Sequence, residues 1–118
     1  MLSRNILHLA SVGAIVCSLT GAASAEQGEG FTGERFLEYP KNAQMAYITS
    51  SALMAGVIAA QNKKPQAQCI DKWAVAAMKN EYKEVIDAMS EFPDHHPTGV
   101  IVAVLQKACG RFKYLDQE

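Results

Sequence analysis

Residues 69–109 read CIDKWAVAAMKNEYKEVIDAMSEFPDHHPTGVIVAVLQKAC, a stretch that opens on one cysteine, closes on another and holds both of its prolines in the turn between them. Ile70, Trp73, Ala77 and Met78 form an apolar stripe at helical spacing, and Val85, Ile86 and Met89 form another after the polar step Lys79-Asn80-Glu81. That step fits one bent helix or two helices, and the pattern leaves both open. Phe92-Pro93-Asp94-His95-His96-Pro97 then breaks the periodicity, because proline fixes φ and lacks an N–H. Pro97 suits the first position of a last helix, in which Val100, Ile101, Val104, Leu105 and Ala108 make a broad apolar face. The β-branched run from Val100 to Val104 would also suit a short strand, but the apolar run continues at helical spacing, so helix is favoured. Gly110 suits a left-handed stop behind Cys109. Two helical arms meeting at a proline turn give an antiparallel hairpin, whose open end brings Cys69 and Cys109 within pairing distance.

Working back towards the N-terminus, Gln61 to Gln68 is polar, contains Pro65 and reads as a linker between neighbouring helices. From the candidate cap Asn42 to about Ala60 the chain is proline-free and rich in helix formers. Met45, Ile48, Ala52, Ala55, Gly56 and Ala59 recur at spacings of three and four, one face of a helix. Ala52, Gly56 and Ala60 add a small-residue seam that lets another helix approach closely, which makes this the central helix. Its opposite side carries Tyr47, Ser51, Met54 and Ile58 as a second stripe. If Phe36, Leu37 and Tyr39, or the tail at Phe112, Tyr114 and Leu115, do not cover that stripe, it is a partner or homodimer interface. A short lead-in helix starts behind the cap Thr32, with Glu34 in its first turn, and Pro40 stops it; its Phe36, Leu37 and Tyr39 are expected against the core.

The first 25 residues have the form of a cleaved secretory signal. Arg4 gives a positive opening, Ile6 to Leu19 is apolar, and Ala23-Ser24-Ala25 places small residues where a signal peptidase reads them. The apolar run is shorter than the roughly 20 residues of a membrane anchor. Cys17 follows the bulky Val16, which does not suit a lipoprotein site, so it belongs to the discarded segment. Residues 26–31 then form a flexible lead and 32–118 a single helical domain. The 118-residue chain has 11 basic and 12 acidic side chains, and loss of Arg4 leaves the mature part near neutral. Such a balance offers no electrostatic footprint for nucleic acid or an anionic membrane. Export also leaves two cysteines, Cys69 and Cys109, an even count that reads as one disulfide. The expected fold is therefore all-α, a bundle of about four helices with a disulfide-closed hairpin.

Candidate chemistry is sparse. Asp94-His95-His96 is the only cluster with ligand-type side chains, and no third partner stands at a telling spacing, so a solvated turn is favoured over a metal site at His95 and His96. Ser50, Ser51 and Ser90 sit in helical context without a nucleophile elbow, and Glu81, Glu84 and Asp87 read as a solvated helix side. No catalytic constellation and no cofactor are expected. Trp73 reads as core.

The ordered series Thr32-Gly33-Glu34-Arg35-Phe36-Leu37, Tyr47-Ile48 leading to Gly56, Cys69-Ile70, the Pro/His turn into Pro97-Thr98, and Cys109 resembles the Rap/Tai immunity-protein family over nearly the whole mature chain. The resemblance implies a small periplasmic helical protein that protects bacteria against peptidoglycan-amidase effectors delivered by type VI secretion. The chain departs from that pattern in one respect: the family's further cysteine pair near the central helix has no counterpart in 37–60. Its organisation is also similar to the periplasmic acid-stress chaperones, which are small, exported, helical and closed by one disulfide. Three classes of function follow as expectations: an immunity protein that binds a secreted effector, a stress holdase, and an accessory subunit of an envelope enzyme.

Overall fold

A computed structural model of the chain describes residues 30–113, and the signal-peptide reading of 1–25, most of the flexible lead, and Tyr114 and Leu115 lie outside them. Five helices follow in order: α1 (Gly33–Leu37), α2 (Lys41–Asn62), α3 (Lys64–Lys79), α4 (Lys83–Glu91) and α5 (Pro97–Cys109). No strand occurs among the described residues, so 100–104 is helical. Cys69 and Cys109 are disulfide-bonded with their Cα atoms 5.6 Å apart, a separation ordinary for the bond. The expected disulfide-closed helical bundle is therefore present.

The hairpin arms are not symmetric. At the polar step the chain breaks into two helices, because Glu81 and Tyr82 both take left-handed backbone, with φ of 59° and 56°. Such a conformation costs L-residues on the order of 1 kcal/mol each. Burial of Tyr82 offsets it: the side chain is fully enclosed, its hydroxyl hydrogen-bonds Thr49 Oγ1 at 2.8 Å, and its ring lies 5.9 Å from that of Trp73. Trp73 itself is half-buried, so it borders the core rather than filling it. Met78 is exposed and leaves the expected stripe, as Ala108 does on α5. Both lie at the margin of an apolar arc, where a neighbour helix no longer reaches.

The polar stretch 61–68 is not a loop. Only Lys63 departs from helical geometry, with φ −152°, and α3 starts at Lys64 with Pro65 in its first turn. Proline is well tolerated there, since that N–H has no helical partner to lose. Gln66 is buried and its Nε2 donates to the carbonyls of Gly110, at 2.8 Å, and Arg111, at 3.2 Å. One amide therefore ties the start of α3 to the chain leaving α5. Gly110, with φ of 89°, turns that chain, and Phe112 folds back into the core. Gln66→Leu should cost about 1 kcal/mol, the net worth of the hydrogen bonds lost, because Gly110 and Arg111 are exposed and water can take the place of the missing donor. Urea denaturation should show the loss as a lower midpoint with an unchanged slope.

On α2, Ile48, Ala52, Ala55, Gly56 and Ala59 are buried as the periodicity predicts. Ala60 faces solvent, and the small-residue seam ends on Ala59 instead. Steps of four advance a helix by about 400°, so a row of them drifts off any one face. A Cβ on Gly56 would stand 3.7 Å from the Ile70 side chain and 3.4 Å from Asp71, which is where α3 lies close along α2. The expected cap Asn42 falls inside the first turn, because Pro40 already provides the N-cap backbone and its carbonyl accepts from Ala43 and Gln44.

α1 is held by its neighbours. Thr32 Oγ1 accepts from Arg35 N–H at 3.4 Å as a side-chain cap, Gly33 N–H donates to His95 O at 2.8 Å, and Glu34 N–H donates to Pro93 O at 3.0 Å. Glycine is favoured at 33, since a Cβ would meet the carbonyl oxygens of Met89 and Phe92 at 3.1 Å and the backbone there would have to give by a few tenths of an ångström. Phe36 is fully buried and Leu37 half-buried, but Tyr39 is 47% exposed and stacks on Phe31 outside the core.

Candidate binding surfaces

The α2 stripe expected as an interface divides in two. Tyr47 and Ser51 are half-buried: the Tyr47 ring lies 5.4 Å from Phe36 and 5.6 Å from Phe31, and its hydroxyl hydrogen-bonds Thr98 Oγ1 at 2.7 Å. Ser51 spends its hydroxyl on the Tyr47 carbonyl one turn back. Phe31 and α1 therefore cover this end, α1 as one of the sequence readings allowed. Met54 and Ile58 stay exposed, Met54 by 62%, and Phe112 packs elsewhere. Leu53 and Val57, which the stripe did not include, are exposed by 57% and 61%. Between Asn42 and Asn62 the sequence has no charged residue at all, and α2 is long and apolar enough to cross a membrane by length and composition. That apolarity serves both its buried face and this uncovered one.

A second surface lies between α4 and α5. It is a groove of about 630 Å³ whose floor includes Ala88, Phe92, Val100, Ala103 and Val104. Lys83, Glu84, Asp87, Glu91, His95 and Lys107 stand around it. Lys107 reaches Glu84 across the groove at 3.5 Å, and Lys83 pairs with Asp87 along α4. Phe92 is half-exposed and stands edge-on to His95 at 5.5 Å. The volume falls within the range of ligand and anchor pockets. An apolar floor framed by both signs of charge suits an amphipathic segment better than a small polar substrate. Sequence reading missed the groove, though the width of the α5 apolar face, too broad for one neighbour, was its visible sign.

Most of the residues weighed for chemistry have structural roles. His96 caps α5, its Nδ1 accepting from Thr98 N–H at 3.2 Å, and its ring meets Phe31 at 5.5 Å. His95 supplies the carbonyl that receives Gly33. Among the described residues no group of three or more His, Cys, Asp or Glu is placed to hold a metal ion. Glu81, Glu84 and Asp87 pair with Lys41, Lys107 and Lys83, all in solvent, where such pairs contribute little. Compared with known proteins, the chain matches no family model, no curated protein and no solved structure.

Proposed function

We propose that the chain is a non-enzymatic binding protein, exported to the periplasm through a cleaved signal peptide, whose most specific role is immunity: it masks a secreted peptidoglycan-degrading effector. The α4–α5 groove carries this reading, since it joins an exposed aromatic, Phe92, to an apolar floor and a charged frame, the composition of a protein-docking site. The disulfide suits an oxidising compartment, and the resemblance to the Rap/Tai pattern supplies the class of partner. Candidate nucleophiles, bases and ligands engaged in caps and surface ion pairs also favour binding over catalysis.

The test starts from the gene next door. A neighbouring open reading frame should encode a secreted peptidoglycan hydrolase, and an equimolar amount of the processed chain should abolish its activity. Ala103→Arg, a substitution at an exposed position of the groove, should weaken that inhibition more than about tenfold while leaving the fold intact. The exposed Leu53, Met54 and Val57 favour a second reading, an acid-stress holdase, and the accessory-subunit reading predicts copurification with an enzyme whose activity rises. A chain that leaves the hydrolase untouched but suppresses aggregation of unrelated clients in acid would replace immunity with the holdase.

A further inference from the structure

We infer that the tip of the hairpin is a pH-sensitive latch, closed by the neutral imidazole of His96 and loosened when that ring takes up a proton. The first turn of α5 leaves its N–H groups without helical partners, and Pro97 has no N–H at all. Thr98 N–H finds its acceptor in His96 Nδ1 at 3.2 Å, and Val100 N–H donates to His96 O. An imidazole accepts at Nδ1 only through a lone pair, so the ring that caps α5 carries its single proton on Nε2. A second proton goes onto Nδ1, occupies that lone pair and sets donor against donor at Thr98. Ser, Thr, Asn and Asp, the usual cap residues, accept through an oxygen that stays available from neutral to mildly acidic pH. His96 is a cap that acid removes.

The surroundings do not compensate the charge. An imidazolium here stands at the positive end of the α5 dipole and next to His95, a second side chain able to become cationic. The charged or titratable groups on the elements around it are Glu34, Arg35 and Glu38 of α1, Lys41 and Tyr47 of α2, Glu91 of α4, and Asp94 and His95 of the turn. Among the described residues none of these carboxylates forms an ion pair with the ring, and the Tyr47 hydroxyl is engaged with Thr98 Oγ1. Lys107, the only charged side chain of α5, pairs with Glu84 towards the other end of the helix.

The cap holds more than α5. The His96 ring stands T-shaped against Phe31 at 5.5 Å, while His95 O and Pro93 O receive the N–H groups of Gly33 and Glu34. Phe31 and α1 in turn cover the Tyr47 end of the α2 stripe, beyond which Met54 and Ile58 are open. Loosening the tip frees that cover, so acid extends the open apolar face of α2 from Met54 towards Tyr47. The inference rests on neither the immunity nor the holdase reading, and it stands whichever of them falls.

Thermal unfolding of the processed, oxidised protein should show the melting temperature falling by about 4–8 °C between pH 7.5 and 5.0, the shift of one lost cap in a domain of this size. Most carboxylates stay ionised over that span. His96→Asn, whose amide oxygen caps without titrating, should match the wild type at pH 7.5 and lose the fall, whereas His95→Asn should keep it. His96→Ala should melt lower already at pH 7.5 and fall no further. Amide exchange at Gly33 and Glu34, corrected for its intrinsic pH dependence, should speed up about fivefold in acid in the wild type and not in His96→Asn. An unchanged wild-type melting temperature overturns the inference, as does a fall that His96→Asn retains or an imidazole nitrogen spectrum that places the His96 proton on Nδ1 at pH 7.5. A melting temperature that rises in acid also overturns it, and would mean that contact of the imidazolium with the Phe31 ring outweighs the cap.

Discussion

Reducing the Cys69–Cys109 disulfide, or replacing either cysteine by serine, is expected to lower the melting temperature by on the order of 20 °C. The bond closes a separation of 40 residues. In the chain-entropy account that restriction of the unfolded chain is worth about 4 kcal/mol. A domain this small has a net stability of roughly 5–15 kcal/mol, so the loss removes a large share of it. The bond joins the second turn of α3 to the last residue of α5, and Gln66 pins the same end through the carbonyls of Gly110 and Arg111. The two should therefore couple: Gln66→Leu should cost more in the reduced protein than in the oxidised one. Thermal unfolding followed by circular dichroism, with intact mass confirming two masked thiols before reduction, checks both statements. An unchanged melting temperature on reduction would mean that the bond contributes nothing net, and free thiols in the protein purified without reductant would remove the pairing itself.

The hairpin was legible because its signals are local. The cysteines bracket two apolar arms, Pro97 occupies the first position of α5, and Gly110 turns the chain behind it. Helical periodicity also picked the buried face of α2 correctly from Ile48 to Ala59. What failed was punctuation read without its context. Pro65 marked a loop by composition, yet a proline in a first turn starts a helix as readily as it ends one. At Glu81 and Tyr82 the reverse holds: no glycine or proline announces two left-handed residues, and tertiary burial of the Tyr82 ring decides the break.

The candidate surfaces were less legible, since each depends on what fails to pack. Tyr47 and Met54 share a stripe by spacing, and nothing local tells that Phe31 and Phe36 cover the first while the second stays open. The groove draws its lining from both α4 and α5, and α4 exists as a separate helix only because of the Tyr82 break that the sequence does not announce. Gln44 shows the same gap on a smaller scale. Its Nε2 donates to the carbonyls of Phe36, Leu37 and Tyr39, closing the end of α1 from the next helix. An exposed-looking glutamine carries no sign of this.

Phe36→Ala is expected to cost about 3–5 kcal/mol, the range for a fully enclosed aromatic that leaves a cavity. Phe36 has 0% exposure, and its ring lies among those of Phe31, Tyr39 and Tyr47 at 6.4, 6.4 and 5.4 Å. α1 has five residues, far too few to be helical alone, so packing and its bonds to Pro93 and His95 hold it. Those bonds join α1 to the turn that starts α5, and the Tyr47 hydroxyl joins α2 to Thr98 in the same place. Loss of the Phe36 ring should therefore loosen the whole tip of the hairpin and not α1 alone. Trp73 reports on the other side of the bundle, beside Tyr82. In Phe36→Ala its fluorescence transition should move down with the circular dichroism transition and stay coincident with it, as one cooperative unit requires. Tyr39→Ala, at a position half in solvent, should cost less than about 1 kcal/mol. If the Trp73 transition stays where it was while helical signal is lost early, α1 is an appended segment, and the tip it clamps is not part of the cooperative core.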